Sequence, residues 1–168
     1  MKWKYLTAAL AFVPALAAAA SLEVSFVDPK SFRDFSVNGM SEERTQPVFE
    51  RELARNLAPR LESLLGDRTL VIEFTDIDMA GDIQPWRNRH NQDIRYVEHI
   101  YPPRLEFNYT VKVAEGEVIL EGSENLRDMS FMYRVRSPRM SDTFFYETEL
   151  LRDWVRRDLM RKLEEVGE

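Results

Sequence analysis

The chain contains no cysteine. No disulfide, thiolate nucleophile or cysteine-held metal is open to it, so its stability must come from packing. Histidine is scarce as well. His90 and His99 stand nine apart, outside any HExxH-type pattern. Each can be read as a general base or a zinc ligand beside a carboxylate, or as a hydrogen-bonded surface histidine, and without a motif the second reading is preferred. Basic charge is short too. Against 29 acids the chain sets 23 Lys and Arg, leaving −6, which argues against broad nucleic-acid binding. No nucleophile elbow surrounds Ser123 or Ser130. Among 29 acids no pair stands out as the carboxylates of a glycosidase. No cofactor is expected.

What is present begins with a leader. Lys2 and Lys4 precede a short apolar core over 6–16, and Ala18, Ala19 and Ala20 form a small-residue cleavage site before Ser21. This pattern is that of a secretory signal peptide cleaved after Ala20. The run is too short for a comfortable membrane span, which needs about 20 apolar residues, and Pro14 lies within it. Without cysteine the chain cannot be a lipoprotein. Loss of Lys2 and Lys4 moves the charge from −6 to −8. The expected product is an acidic, periplasmic or secreted protein, not integral to the membrane, with one domain over 21–168.

The most informative stretch is LVIEFTDIDMAG at 70–81. Leu70, Ile72 and Phe74 alternate with polar Glu73 and Thr75, which defines a half-buried strand. After Phe74 the phase inverts. Asp76 and Asp78 take the core parity, and Ile77 and Met79 take the other. Two unpaired carboxylates cannot be buried cheaply, so the strand must bulge, twist or leave the sheet near 75–76.

Around it the chain reads in order. Residues 22–27 alternate as a first strand, ended by Asp28-Pro29. Phe32 and Phe35, in a loop over 30–41, are expected to tuck under the core, and Asn38-Gly39 marks a turn. A helix is predicted over 46–65 from Phe49, Leu53, Leu57, Leu61 and Leu64, with Thr45 as its cap and a kink or break at Pro59. Residues 82–103 are irregular, with a short strand over 93–100. The clearest strand is 105–113, followed by a hairpin turn at 114–117, a return over 118–124 and a further strand over 126–136. Pro138 breaks the chain, and Ser141 or Asp142 caps a last helix over 143–165. The expected fold class is α+β: a two-layer sandwich with a mostly antiparallel sheet of four to five strands and two helices on one face.

Asp76, Asp78 and Asp82 are the best metal candidates, since carboxylates suit calcium or magnesium. The spacing lacks the terminal acid of a calcium loop, and no bound metal is the preferred expectation. The alternative is that Asp76 and Asp78 cap loop amides or pair with arginines such as Arg95 or Arg104. Trp86, Tyr96 and Tyr101, with Arg87 and Arg89, either grip a sugar or peptide or pack on the domain itself. Asn108 heads a glycosylation sequon but is read as the wet face of a strand.

TDIDMAG at 75–81, DIR at 93–95, IYPPR at 100–104 and GSENLRD at 122–128 together resemble a bacterial family of small exported proteins of unknown function. The resemblance covers nearly all of the chain after the leader, with Met79 where the family usually has leucine. It implies a Gram-negative, periplasmic or secreted setting, supplies no catalytic residue, and suggests that the aspartate and YPPR segments form one unit. The expected function is a non-enzymatic envelope binding or accessory module whose partner is an envelope protein or a small ligand. Its candidate binding residues are Asp76, Asp78, Trp86, Arg95, Tyr101 and Arg104. The rival expectation is a metal-assisted hydrolase using Asp76 and Asp78, with His90 or His99.

Overall fold

The computed structural model describes residues 21–37, 39–87, 94–135 and 143–167. The leader, Asn38 of the expected turn, Arg89, His90, Asp93, Pro138, Ser141 and Asp142 lie outside the described residues.

Among the described residues four strands form the main sheet, in the order β1-β2-β5-β6. Strand β1 (Ser21–Phe26) pairs in parallel with β2 (Thr69–Asp78). Between them runs helix α1 (Glu42–Leu65), as a parallel connection requires. Strands β5 (Arg104–Lys112) and β6 (Val118–Arg127) complete the sheet, each antiparallel to its neighbour. A two-residue ribbon, β3 (Asp82–Ile83) with β4 (Arg95–Tyr96), stands apart from it. The chain ends in a continuous helical run: α2 (Phe145–Trp154), a π-helical stretch (Val155–Leu159) and α3 (Met160–Gly167). The fold is therefore the expected α+β sandwich.

Both helical layers cover one sheet face. Leu70, Ile72, Phe74, Leu105, Phe107, Tyr109 and Val111 share a parity and are buried against Phe49, Leu53, Leu57, Leu61, Leu151 and Trp154. Phe49 is the hub. Its ring lies 4.8–6.2 Å from those of Phe26, Phe35, Phe74 and Phe144, joining α1 to β1, β2, the loop after β1 and the residue that precedes α2. Phe32 and Phe35 close the core as expected. The opposite sheet face is polar. Asn108 donates to Glu73 and accepts from Ser123, while Arg104 bonds Asn125 and Glu106.

Three elements depart from expectation. Helix α1 starts at Glu42, behind Ser41, four residues before the expected start. Glu42 and Glu43 favour that first turn through the helix dipole, and Glu43 bonds Lys30 at 2.8 Å. Thr45 is buried inside the helix and donates to the Ser41 carbonyl. Pro59 does not split the helix, because Leu57 and Leu61 on either side of it are fully buried and hold both halves to the core. The expected strand over 126–136 is not a separate element. Strand β6 carries on to Arg127, and Phe131–Tyr133 is a 3-10 turn that buries Phe131 and exposes Met129 and Tyr133. Arg134 pins that turn to α2 through Asp128 at 2.6 Å and Asp153 at 2.9 Å. Within 93–100, strand pairing is confined to Arg95–Tyr96.

The phase inversion in β2 is resolved by a bulge. Register against β5 shifts between Phe74 and Asp76, which leaves Thr75 as the extra residue. Beyond it Ile77 and Met79 are buried, while Asp76 and Asp78 lie on the polar side. Deleting Thr75 is therefore expected to drive Asp76 and Asp78 toward the core and abolish the cooperative thermal transition, whereas Thr75→Ala shifts it by less than about 0.5 kcal/mol. Thermal circular dichroism checks both. A cooperative, wild-type-like melt in the deletion variant would refute the account.

Candidate functional site

The bulged exit of β2 meets three other segments. Asp34 forms a parallel bridge with Asp78: its N–H donates to Ile77 O at 3.0 Å, and Met79 N–H donates back to Asp34 O at 3.2 Å. Gly81 then turns with φ 84°, and a side chain there would lie 2.6 Å from the Tyr96 carbonyl oxygen. Only glycine suits both the turn and that approach. The Gly81 N–H donates to the Tyr101 carbonyl at 3.0 Å. Asp78 is also the register partner of Arg104. The TDIDMAG and YPPR segments are thus one architectural unit.

Arg95, on β4, reaches into this junction. Its guanidinium forks onto Asp34 at 2.5 and 2.8 Å and donates to the Gly81 and Ser36 carbonyls at 3.2 and 3.1 Å. Burial works against its charge, but the Asp34 bonds outweigh that and push its pKa up. On the far side stands Glu147 of α2, 1% exposed, accepting the Ala80 N–H at 2.7 Å. Burial pushes the Glu147 carboxyl up to about 7, against the opposing pull of the Ala80 amide and Arg95.

The expected site residues fall in several places. Asp76 accepts the backbone N–H of Arg33 at 2.8 Å, and Asp78 lies 3.6 Å from the Arg33 guanidinium. Both aspartates thus cap a loop amide or pair with an arginine, but the arginine is Arg33, and Arg95 and Arg104 have other partners. Burial, with Asp34 and Asp76 nearby, raises the Asp78 pKa despite Arg33. Asp82 sits in β3 and adds to the field on Arg95. Tyr101 contributes through its backbone carbonyl, and Arg104 belongs to the polar sheet face. Trp86 is 72% exposed. Beside it Arg87 lies over the Tyr96 ring at 5.1 Å and bonds Glu98 at 2.7 Å. His99 is exposed. Among the described residues no group of three or more His, Asp or Glu is arranged to hold a metal, and no helix is long and apolar enough to cross a membrane.

Sequence reasoning missed Arg33, Asp34 and Glu147. A signal existed for Glu147. It lies four residues before Leu151, on the stripe that continues through Val155 and Leu159, so a carboxyl was due in the core. Asp34 lies between two core phenylalanines with no comparable pattern.

These features define a two-layer α+β protein with a buried acid–arginine junction at the exit of a bulged strand. Compared with known families, residues 20–157 match the family described as protein of unknown function DUF3016, and the chain belongs to that family. No curated protein shows significant similarity to it.

Two outcomes test the junction. Because the Glu147 pKa rises from an ordinary 4.5 to about 7 on folding, its contribution is full below pH 4.5 and is lost as pH rises through 7. Stability should fall across that window by up to about 3 kcal/mol, and Glu147→Gln should flatten this fall. Urea unfolding at several pH values measures it, and identical profiles for the two proteins would count against the assignment. Separately, Arg95→Ala leaves Asp34 without its fork and should cost about 2–3 kcal/mol at pH 7. A loss below about 0.5 kcal/mol would contradict the assigned role.

Proposed function

We propose that the chain is an exported, non-catalytic module of the bacterial envelope that docks on a second envelope protein. The observation carrying this reading is a division of labour at the β3–β4 end. Asp34, Arg95 and Glu147 are spent on holding segments of the chain together. Close in sequence to β3 and β4, Trp86, Ile94, Val97 and Ile100 stand in solvent, with exposures of 72, 36, 37 and 58%. Exposed apolar side chains beside a ribbon whose β4 strand is held by Arg95 suit protein recognition better than chemistry. The leader pattern over 1–20 supports export, and membership of a family of unknown function is compatible with the reading without specifying it.

Affinity capture from the periplasmic fraction of cells making the full chain tests the proposal. The wild-type protein should retain a specific partner that Trp86→Ala loses by at least about tenfold, the range expected of a tryptophan anchor. Equal retention by both baits would sink the docking surface, and recovery of the chain only from the cytoplasm would sink export.

A further inference from the structure

Among the described residues the sheet order leaves β1 with a neighbour on one side only. We propose that this free edge pairs with β1 of a second copy, antiparallel about a two-fold axis through Val24.

In a parallel ladder, alternate residues direct both backbone groups to the same neighbour. Val27 donates its N–H to the Phe74 carbonyl at 2.9 Å, which assigns the odd-numbered residues of this segment to β2. The N–H and C=O groups of Leu22, Val24 and Phe26 therefore face outward, where an edge strand offers them to another chain. Proline, charged side chains and bulges are the usual devices that blunt such an edge. Residues 22–26 contain no proline and a single charge, Glu23, and their register with β2 is unbroken. The other edge, β6, carries Glu121, Glu124 and Arg127 and has a register shift near its start.

The sequence of β1 suits a copy of itself. An axis through Val24 sets Val24 against Val24 and Leu22 against Phe26 of the second copy, engaging all three outward residues at once. On the polar face the same register sets Glu23 against Ser25. Moving the axis to Glu23 would oppose two glutamates, which is unfavourable. The flank is prepared as well. Leu22 and Val24 are half-buried and border a groove of about 330 Å³ with Pro47, Glu50, Arg51 and Ala54 of α1. One acid and one base leave this groove without net charge, so it does not repel its own two-fold image. Continuing the sheet across the axis gives eight strands, with the α1 helices of both copies on the same side.

Sedimentation velocity on the protein recovered from cells making the full chain tests this, over roughly 1–500 µM. The expected wild-type result is a concentration-dependent mass of two copies. Ser25→Lys, an exposed change beside Glu73 of β2, sets a lysine against Glu23 twice per dimer and should tighten association on the order of tenfold. Adding Glu23→Lys to it opposes lysines and should weaken association below wild type. Circular dichroism confirms that each variant is folded. A single-copy mass throughout the range overturns the proposal, and so does a dimer whose dissociation constant is the same in all three proteins. Neither result bears on capture through Trp86, which belongs neither to β1 nor to the groove beside it.

Discussion

A strand keeps its apolar side chains on one face only while no residue is inserted. Strand β2 inserts Thr75, and much of the molecule follows from it. Without the insertion Asp76 and Asp78 would point into a core made of phenylalanine and leucine. With it, Ile77 and Met79 continue the stripe begun by Leu70, Ile72 and Phe74, so β2 serves the core along its full length. A bulge also sharpens local twist. The strand therefore leaves the plane of the sheet just where Met79, Ala80 and Gly81 must meet the Asp34 loop, α2 and the Tyr101 segment. The same residue that rescues the core aims the Ala80 amide at Glu147.

That junction buries charge, which is costly, and its arrangement limits the cost. Two carboxyls, Asp34 and Glu147, share the neighbourhood of one guanidinium. Asp34 takes the fork of Arg95, and Glu147 receives a backbone N–H. Because burial raises the Glu147 pKa to about 7, near neutral pH the group spends much of its time uncharged. Two acids then do not compete for one base, and the field around Arg95 stays nearly balanced. The residual cost is offset by what the cluster fixes: the loop after β1, the exit of β2, the β3–β4 ribbon and the start of the last helix become one body. A buried ion pair is weak evidence for stability in itself. Here it specifies which segments meet.

The strands were legible because their signal is local. Period-two alternation gave β1, β2, β5 and most of β6, and the broken phase at Asp76 gave the bulge to within a residue. The helices were legible from their leucine stripes, although the start of α1 was not, since Thr45 resembles a cap and is in fact interior. The supposed strand after Arg127 failed for a physical reason. Met129, Phe131 and Tyr133 share a parity, but Phe131 alone finds the core, and Arg134 draws the chain toward α2 instead. The partners of the aspartates were the least legible part. The sequence pointed to Arg95 or Arg104, and the partner is Arg33, because the choice is made by which loop the bulge faces. Glu147 could have been found, since a carboxyl on the extension of an apolar stripe must be paired, neutral or both.

The helical layer shows the same logic of phase in another geometry. In α1 the buried residues recur at every fourth position, from Thr45 through Phe49, Leu53, Leu57 and Leu61 to Leu65. At 3.6 residues per turn each step overshoots a full turn by about 40°, so the buried line winds around the helix. Strands in a sheet are rotated relative to one another, and a helix crossing them meets its neighbours at a changing angle, which a winding line can follow. The last helix has the same spacing in Leu151, Val155 and Leu159, but it must hold to one pair of strands. There the π-helical stretch intervenes. A π turn contains more residues than an α turn, so four residues advance the side chains by less and the line straightens. Trp154 can then sit edge-on to Phe107 and Tyr109 at 5.0 and 5.1 Å while Leu159 stays buried one turn later. The run continues into α3 with Lys162 placed over Glu124 at 2.5 Å and the Tyr109 hydroxyl at 2.9 Å. That contact ties α3 to β5 and to the outer strand β6. The wider turn in the helix, like Thr75 in the strand, changes the phase so that each element keeps its apolar side on the core.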